Sequence, residues 1–238
     1  MGPRAMWWPD DAESLMRLQR EIADAEPVPW RPGPGPLRVG GCWVCFPRRL
    51  TGRGGAADRA WAAAVTLEGE VLVETHVVTG RTGAPYVPGL LALRMGPLMD
   101  RTVRGLGRLD VLLLDATGRD HPRSAGLARH LGAALDLPTI GVTHRPLTAE
   151  GTWPENRRGA TSPLEVDGTV VACWMRTRPG TRPLVVHPGW AVDLETAVEV
   201  VAGTTGQRRT PEPLRRARQL AREARAGRPR VVRPGGQG

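Results

Sequence analysis

Two short, entirely apolar segments separated by a helical segment constrain the fold of this chain more than any other feature. Residues 110–115 (DVLLLD) and 139–143 (TIGVT) are short and apolar, and the intervening residues 124–135 have helical periodicity. Strands that are buried on both faces and joined through a helix pair in parallel by crossover connections. The sequence therefore predicts an α/β fold with parallel strands at its centre.

A different pattern precedes this unit. Residues 37–46, 60–67 and 70–77 read as strands, and the second and third are joined around a Glu-Gly-Glu turn. This order predicts an antiparallel meander at one edge of the sheet. Two later strands are predicted at 169–175 and 183–186, and further helices at 12–25, 89–106, 194–201 and 213–226, with Asp193 as the N-cap of the third of these helices.

The length of 238 residues is compatible with one hydrophobic core. We expect an N-terminal helix and a Pro/Gly connector over residues 1–36 and a folded domain over 37–226. The Pro-, Gly- and Arg-rich residues 227–238 are expected to form a disordered basic tail. No apolar run approaches the roughly 20 residues of a membrane helix, and no signal peptide is evident. We therefore expect a cytoplasmic monomer with no membrane partner.

Charge and cysteine content leave two interpretations open. The formal net charge is +9 and all 33 basic residues are arginine, which indicates either a phosphate-binding surface or biased codon usage. Cys42 and Cys45 form a C-x-x-C spacing, but they lie in a predicted strand and so point to opposite faces. We interpret them as small buried hydrophobes rather than as a redox or metal pair.

Several ordered motifs resemble one family. PYVPGLLALRMGP (85–97), LLDATGRDHPRSAGLARHLG (113–132) and DLPTIGV (136–142) are similar to segments of endonuclease V, as are the shorter runs at 176–178, 185–189, 194–197 and 209–214. The similarity extends from about residue 18 to about residue 222. The resemblance implies a ribonuclease-H-like α/β fold, a mixed central sheet flanked by helices on both faces.

The resemblance also implies an activity and a metal site. The family cuts the second phosphodiester bond on the 3′ side of inosine in DNA or RNA, using Mg²⁺ held by acidic residues. Of the four metal positions that the motifs indicate, only Asp115 carries the family residue, and it is the candidate catalytic and metal-binding residue. The other three positions correspond to Trp43, Met95 and Trp190.

These departures predict that the inherited mechanism is lost. One carboxylate cannot hold a hydrated Mg²⁺ against competing water. Trp43 and Trp190 are expected to fill the space of the ion, so no cofactor is expected, although Mg²⁺ would be required if the family activity were retained. A rebuilt metal site is an open alternative, with Asp120, His121, His144 and His187 as its candidates.

The residues for nucleic-acid binding are better retained. The resemblance assigns Tyr86 as the aromatic side chain that wedges into the duplex where a base is flipped out, with Gly89 and Leu91 beside the flipped base. It assigns further contacts to His121, Arg123, Gly126 and His144, the last at a family lysine position, while Ala116 replaces a pocket glycine. A core tyrosine and packing glycines are the structural alternatives. Four arginines share one face of the last helix and could follow a phosphate backbone: Arg215, Arg218, Arg222 and Arg225.

Three functions follow as hypotheses. The first is an endonuclease V-like protein that binds nucleic acid, recognises deaminated or flipped bases and does not cut. The second is an active Mg²⁺-dependent endonuclease that cuts DNA or RNA 3′ to inosine in DNA repair. The third is a non-enzymatic scaffold that binds a protein partner.

Overall fold

A computed structural model describes residues 7–48 and 54–228 of the chain. Within these residues one eight-stranded mixed sheet has the order β3-β2-β1-β4-β5-β8-β7-β6. The strands are β1 (Arg38–Cys45), β2 (Arg59–Glu68), β3 (Val71–Arg81), β4 (Val111–Leu114), β5 (Thr139–Thr143), β6 (Thr161–Val166), β7 (Thr169–Met175) and β8 (Leu184–Pro188). The helices are α1 (Ala12–Asp24), α2 (Leu91–Val103), α3 (Leu127–Leu135), α4 (Leu194–Gly203) and α5 (Glu212–Arg225).

The centre of the sheet is parallel, as predicted. β4 pairs in parallel with β1 on one side and with β5 on the other. β1, β2 and β3 form the predicted antiparallel meander, and β5, β8, β7 and β6 continue the sheet with antiparallel pairing. The carboxyl ends of β1, β4 and β5 therefore meet at one edge of the sheet, which is where loops from parallel strands build sites.

Helices cover both faces, because the strand side chains alternate between two apolar layers. In β4, Val111 and Leu113 pack with α4 residues, whereas Leu112 and Leu114 pack with residues of α1, α2 and α3. α5 lies on the same face as α4 and packs on β1 and β2. This arrangement confirms the predicted α/β fold with helices on both faces of a mixed sheet.

Alternation in β1 also separates its two cysteines. Cys42 packs in the layer below α2, whereas Cys45 packs in the layer below α5. Burial raises the pKa of the Cys42 thiol to about 12, so the thiol stays protonated at neutral pH. The interpretation of the pair as buried hydrophobes on opposite faces agrees with this geometry.

Several boundaries differ from the sequence prediction: β3 runs on to Arg81, α2 is shorter at both ends, and two further differences are at β6 and α3. β6 was not predicted, because it is an edge strand with a polar sequence and contains Pro163, which only an edge position tolerates. α3 begins at Leu127 rather than at Ser124, because Ser124 has a left-handed backbone (φ 49°) that ends the preceding turn. The predicted N-cap Asp193 is confirmed, since its carboxylate accepts a hydrogen bond from the Thr196 backbone N–H at 2.9 Å.

The expected disordered tail remains a prediction, because its residues 229–238 lie outside the described residues. Residues 1–6 of the expected N-terminal segment lie outside them as well. In residues 7–48 and 54–228, none of the helices has the length and apolar character needed to cross a bilayer.

Candidate nucleic-acid-binding cleft

The ends of β1 and β4 bring two predicted site residues together. Cys42 in β1 pairs with Leu114 in β4, so Trp43 and Asp115 occupy neighbouring positions one residue further along parallel strands. Asp115 is the first residue after β4, and it is the point where the chain leaves the sheet. The cleft described below extends from this edge in two directions.

A small cavity of about 170 Å³ lies on the α2 side of Asp115. Its walls come from the segment before α2, the segment after β4, and α1. The lining residues are Gln19, Tyr86, Val87, Pro88, Gly89, Leu91, Ala92, Asp115, Ala116, Thr117, His121, Leu127, Thr143 and Leu147. The fold brings Tyr86, Gly89, Leu91 and His121 together in this one cavity, while their contacts with a nucleic acid stay predictions. We refer to it as the base pocket, after the role that the resemblance implies for it.

The backbone at Gly89 is held in a conformation that a side chain would not allow. Its φ is +77°, and a Cβ at this position would lie 2.9 Å from an Arg123 guanidinium nitrogen. The Gly89 carbonyl is bonded to His121 Nε2 at 3.2 Å and accepts from Gln19 Nε2 at 3.3 Å and from Arg123 at 2.6 Å. A loop carbonyl with three partners is fixed in place before any ligand arrives.

These contacts redefine two predicted ligand contacts. His121 is buried and bonds the Gly89 carbonyl, and Arg123 bonds both Gly89 and the Gln19 side-chain oxygen (2.6 Å). Burial lowers the pKa of His121 to about 4, so its ring is neutral at neutral pH. Both side chains therefore help to set the shape of the base pocket. Arg123 is also partly exposed, and the predicted contacts of both residues with nucleic acid stay predictions.

Gln19 is a pocket residue that the sequence analysis did not identify. It is buried, and its amide also donates to the Ala125 carbonyl at 3.2 Å, which ties α1 to the segment before α3. A signal was present in the sequence: Gln19 is a polar residue within the apolar stripe of α1 that includes Leu15, Leu18 and Ile22. A buried amide on an apolar face indicates a specific hydrogen-bonding partner.

Gly126 has a packing role. A Cβ there would lie 2.3 Å from the Thr117 carbonyl oxygen, so only glycine lets the start of α3 approach the loop after β4 this closely. The Gly126 N–H also donates to the Gly118 carbonyl at 2.8 Å. Gly126 thereby sets the position of the loop that carries Asp115, Ala116 and Thr117.

A second, more open groove of about 540 Å³ continues from the first. Tyr86 lines both, and its side chain is 40% exposed at their junction. The groove is basic and aromatic. Its lining residues are Trp43, Val44, Cys45, Phe46, Pro47, Gly54, Tyr86, Arg94, Arg218, Arg222 and Arg225. We refer to it as the arginine groove.

Helix α5 supplies most of the positive charge of the arginine groove. Of the four arginines predicted to share a face, Arg218, Arg222 and Arg225 line the groove, whereas Arg215 forms an ion pair with Glu212. The Arg218 guanidinium carbon lies 5.0 Å from the centroid of the Trp43 ring, and Arg225 donates to the Phe46 carbonyl at 3.0 Å. The predicted basic stripe therefore faces the strand end where Trp43 lies.

Asp115 lies at the mouth of the base pocket, between the two spaces. It touches solvent and accepts no hydrogen bond from the described residues. Burial of the carboxyl by the surrounding protein raises its pKa to about 6, and the charge of Arg218 opposes this rise. A carboxylate that binds a divalent ion needs further anionic oxygens beside it, whereas the charge that acts on Asp115 here is the positive charge of Arg218.

The donor set does not fit a catalytic magnesium ion. Within the described residues, no group of three His, Cys, Asp or Glu side chains is close enough to hold a metal ion. Trp43 packs its ring between β1 and α5, and Met95 packs in the apolar layer that contains Leu114 and Ala116. Mg²⁺ requires about six oxygen ligands in near-octahedral geometry, and among the described residues that line the two spaces Asp115 is the one acid.

Trp190 does not belong to this site, which corrects the sequence interpretation. Its backbone N–H donates to Thr139 Oγ1 at the start of β5. Its ring packs among Ile22, Ala125 and Ala133, with the Arg129 guanidinium over it. Because β8 runs antiparallel to β5, the residue after β8 lies at the opposite edge of the sheet from Asp115. Trp190 therefore occupies none of the space beside Asp115.

The candidates for a rebuilt metal site are occupied by protein contacts. The Asp120 carboxylate is fully buried and accepts hydrogen bonds from the Leu147, Thr148 and Ala149 backbone N–H groups at 2.7 to 2.8 Å. Burial alone would raise the pKa of Asp120, but these bonds lower it below its usual range. The buried His187 bonds Thr143 Oγ1 at 2.9 Å, and burial lowers its pKa. Asp120 thus fastens the loop after β5.

His144 lies on that loop at the surface. Partial burial lowers its pKa, and so do the positive charges of Arg209, Arg218 and Arg182 in turn. A pKa below the usual histidine value keeps the His144 ring neutral at neutral pH. Its predicted place beside a nucleic-acid backbone stays a prediction.

Comparison with known proteins gives one consistent result. The sequence model of the family described as Endonuclease V matches residues 37–219. Endonuclease V of Methanopyrus kandleri is 45% identical over 163 residues, 68% of this chain and 71% of the relative. The crystal structure of Endonuclease V from Streptomyces avermitilis has a TM-score of 0.80 at 33% identity, covering 92% of this chain and 95% of that one. Ciona intestinalis Endonuclease V, solved with a 24mer DNA containing an inosine followed by a ribo-adenosine, has a TM-score of 0.77 at 22% identity, covering 90% and 97%.

Proposed function

Because the chain belongs to the endonuclease V family, we propose that it binds nucleic acid at a deaminated or flipped base, with inosine as the first candidate, and does not cut it. The observation that carries this proposal is the contrast around Asp115. The base pocket is enclosed by residues that are hydrogen-bonded to one another, whereas the position of a catalytic ion has a single acid beside Trp43 and Arg218.

The base pocket supplies the recognition step of this function. A base extruded from a duplex costs a few kcal/mol of lost stacking, and a pocket with fixed backbone groups and an aromatic side chain offsets part of that cost. Tyr86 is half-exposed at the entrance, in the position to replace the extruded base in its stack. At the wall of the base pocket, Gly89 provides backbone groups and Ala116 provides a methyl group. Leu91 provides further apolar contact.

The arginine groove supplies affinity for the backbone. Arginine forks match phosphate oxygens, and such contacts dominate the sequence-independent part of nucleic-acid binding. The formal net charge of +9 favours the same partner. The fold itself is compatible with this ligand, since the Ciona intestinalis protein of the same fold was solved with inosine-containing DNA.

The absence of cutting follows from the chemistry that a metal supplies. Hydrolysis of a phosphodiester needs a water of lowered pKa and a cation that stabilises the developing charge. Asp115 alone provides neither the ion nor the other oxygens that would hold it. The carboxyl with a pKa of about 6 is also a weak ligand below that pH.

One assay separates this function from the alternatives. The chain is incubated with an inosine-containing duplex and Mg²⁺ or Mn²⁺, and both nicking and binding are recorded, with Asp115→Ala as the matched control. We expect binding that falls steeply with salt and no nicking. Specific nicking that disappears in Asp115→Ala would establish the active endonuclease instead. No binding to inosine-containing, mismatched or single-stranded DNA or RNA would leave the scaffold hypothesis.

The active endonuclease remains the second candidate, because sequence identity to a protein named Endonuclease V reaches 45% and Asp115 is retained. A titration with Mg²⁺ followed by calorimetry tests it without a substrate. We expect no site-specific heat. A defined isotherm that is absent in Asp115→Ala would favour the active enzyme.

A further inference from the structure

Arg218 has an unusual position for a basic residue on a helix. Its guanidinium lies over the Trp43 ring at 5.0 Å, and it forms no hydrogen bond or ion pair within the part of the chain that the structure describes. By contrast, Arg215 and Arg216 on the same helix both bind Glu212. The N–H groups of Arg218 are therefore available to a ligand, while its guanidinium lies over an indole ring.

The surroundings of Arg218 select an anion. Arg222 and Arg225 lie one and two turns further along α5 and line the same groove, and the charge of Arg218 also acts on His144 in the loop after β5. Among the described residues that line the base pocket or the arginine groove, the one acidic group is Asp115. A charged group on a low-dielectric aromatic surface, among other cations and open to solvent, attracts a phosphate oxygen.

The position of Arg218 is adjacent to the predicted place of the ion. It stacks on Trp43, which occupies the first-strand metal position, and Trp43 neighbours Asp115, the retained metal position, across the paired strands β1 and β4. A divalent cation at the same place would be repelled by the guanidinium. The metal and this side chain are therefore alternatives, and each is a cation beside the same carboxylate.

We propose that Arg218, stacked on Trp43, binds a phosphodiester of the nucleic acid in place of the divalent ion, so that this chain grips its ligand without metal. The inference rests on the proposed function and specifies how its backbone contact is made. A guanidinium neutralises a phosphate and bonds it through two N–H groups, but it holds no water and lowers no water pKa. Arg218 therefore supplies the phosphate-binding role of a metal ion but not its catalytic role.

The first test measures binding of an inosine-containing duplex by fluorescence anisotropy, in EDTA and in Mg²⁺. We expect the same affinity in both, and about tenfold weaker binding by Arg218→Gln, with a salt slope lower by about one charge. Arg218→Lys should fall between the two, because it keeps the charge but loses the planar fork. Arg101→Gln, an exposed arginine at the far end of α2, is the control and should bind as the parent chain does.

A second test locates the contact. Single linkages of the duplex near the inosine are replaced one at a time by neutral methylphosphonates, and each duplex is measured with the parent chain and with Arg218→Gln. At one linkage the two losses should not add, because the variant and the neutral linkage remove the same interaction. Additive losses at every linkage near the inosine would overturn the assignment.

The outcomes distinguish this inference from the function on which it rests. No binding by the parent chain overturns the proposed function. Binding that requires Mg²⁺, or binding that Arg218→Gln leaves unchanged, overturns the role of Arg218 and leaves the function in place. Thermal melting of each variant checks that a loss of binding reflects the contact and not unfolding. Trp43→Leu keeps an apolar support for Arg218 but has no π face, and it should weaken binding about threefold.

Discussion

The base pocket and the ion position beside it share Asp115, yet their contacts are of different kinds. Around Gly89, the side chains of Gln19, His121 and Arg123 converge on one carbonyl. Around Asp115, no described side chain donates a hydrogen bond, and the neighbours are Trp43 and Arg218. One half of the cleft is a fixed hydrogen-bonded structure, and the other half is an aromatic and cationic surface.

Under the proposed function, recognition and cutting depend on partly different elements of the fold. The base pocket is lined by α1, the segment before α2, the start of α2 and the loop after β4, whereas the arginine groove is lined mainly by the end of β1 and by α5. Of the metal positions that the resemblance implies, Trp43 lies in β1, whereas Met95 and Asp115 lie on elements that also build the pocket. The predictions below test whether the two halves behave independently.

The largest effect is expected inside the fixed half. Gln19→Ala removes a buried amide with three partners. The Arg123 guanidinium then loses the Gln19 side-chain oxygen that accepts its hydrogen bond. We expect a loss of about 2–3 kcal/mol in the free energy of unfolding, because buried polar groups left unpaired are costly. Urea denaturation measures it, and inosine binding should weaken in parallel.

Gln219→Ala is the matched control for this change. Gln219 is an exposed amide on α5 that bonds Glu223, and its replacement should change stability by no more than about 0.5 kcal/mol. If Gln19→Ala were as mild as the control, the pocket would not be the rigid half of the cleft.

The next effect concerns Tyr86 at the junction of the two spaces. Tyr86→Ala should weaken binding to an inosine-containing duplex by about 1–2 kcal/mol, because an aromatic partner for the unstacked neighbours is lost. Stability should change little, since the ring is 40% exposed. Tyr86→Phe is the conservative control and should bind nearly as the parent chain does. Equal binding by Tyr86→Ala would favour a structural role for this residue.

A smaller effect is expected from the charge of Asp115. Its pKa of about 6 exceeds the usual 3.8, so the folded chain holds this proton more tightly than the unfolded chain does. The carboxyl therefore lowers folding stability as pH rises from about 3.8 to about 6, and its charge repels a phosphate once pH exceeds about 6. Asp115→Asn should strengthen binding at pH 8 by about 1 kcal/mol or less, since solvent screens this exposed group, and should change it little at pH 5.

His144 is the control group for that pH profile. Its lowered pKa places any gain of positive charge below the usual histidine range, so its contribution also grows as the pH falls. A His144→Asn background isolates the Asp115 contribution. Binding that collapses in Asp115→Asn at every pH would mean that the carboxylate holds an ion, and the two halves would then be one metal site.

Most of the sheet could be predicted from the sequence because its signals are local. The apolar runs identify β4 and β5, which pair with each other. The turn between β2 and β3 identifies those two strands as an antiparallel pair. β6 could not be predicted, because an exposed edge strand carries no apolar alternation.

The site was harder to predict, because its geometry depends on strand direction and on contacts distant in sequence. Trp190 was placed beside Asp115 by its motif, but the antiparallel direction of β8 puts it at the other edge. The basic stripe of α5 was predicted, while the stacking of Arg218 on Trp43 required the packing of α5 against β1.

The smallest effect tests the wall that the two halves share. Ala116 follows Asp115, lines the base pocket and is buried, so its methyl group takes space in a cavity of about 170 Å³. Ala116→Gly should enlarge the pocket and strengthen binding of an inosine-containing duplex by roughly 0.5 kcal/mol, against a loss of at most about 1 kcal/mol in folding stability from the added backbone freedom. Duplexes that carry inosine or guanine at the same position measure the gain. A gain for inosine alone would mean that the methyl group limits recognition of this base, whereas weaker binding of both would mean that the methyl group is itself a contact.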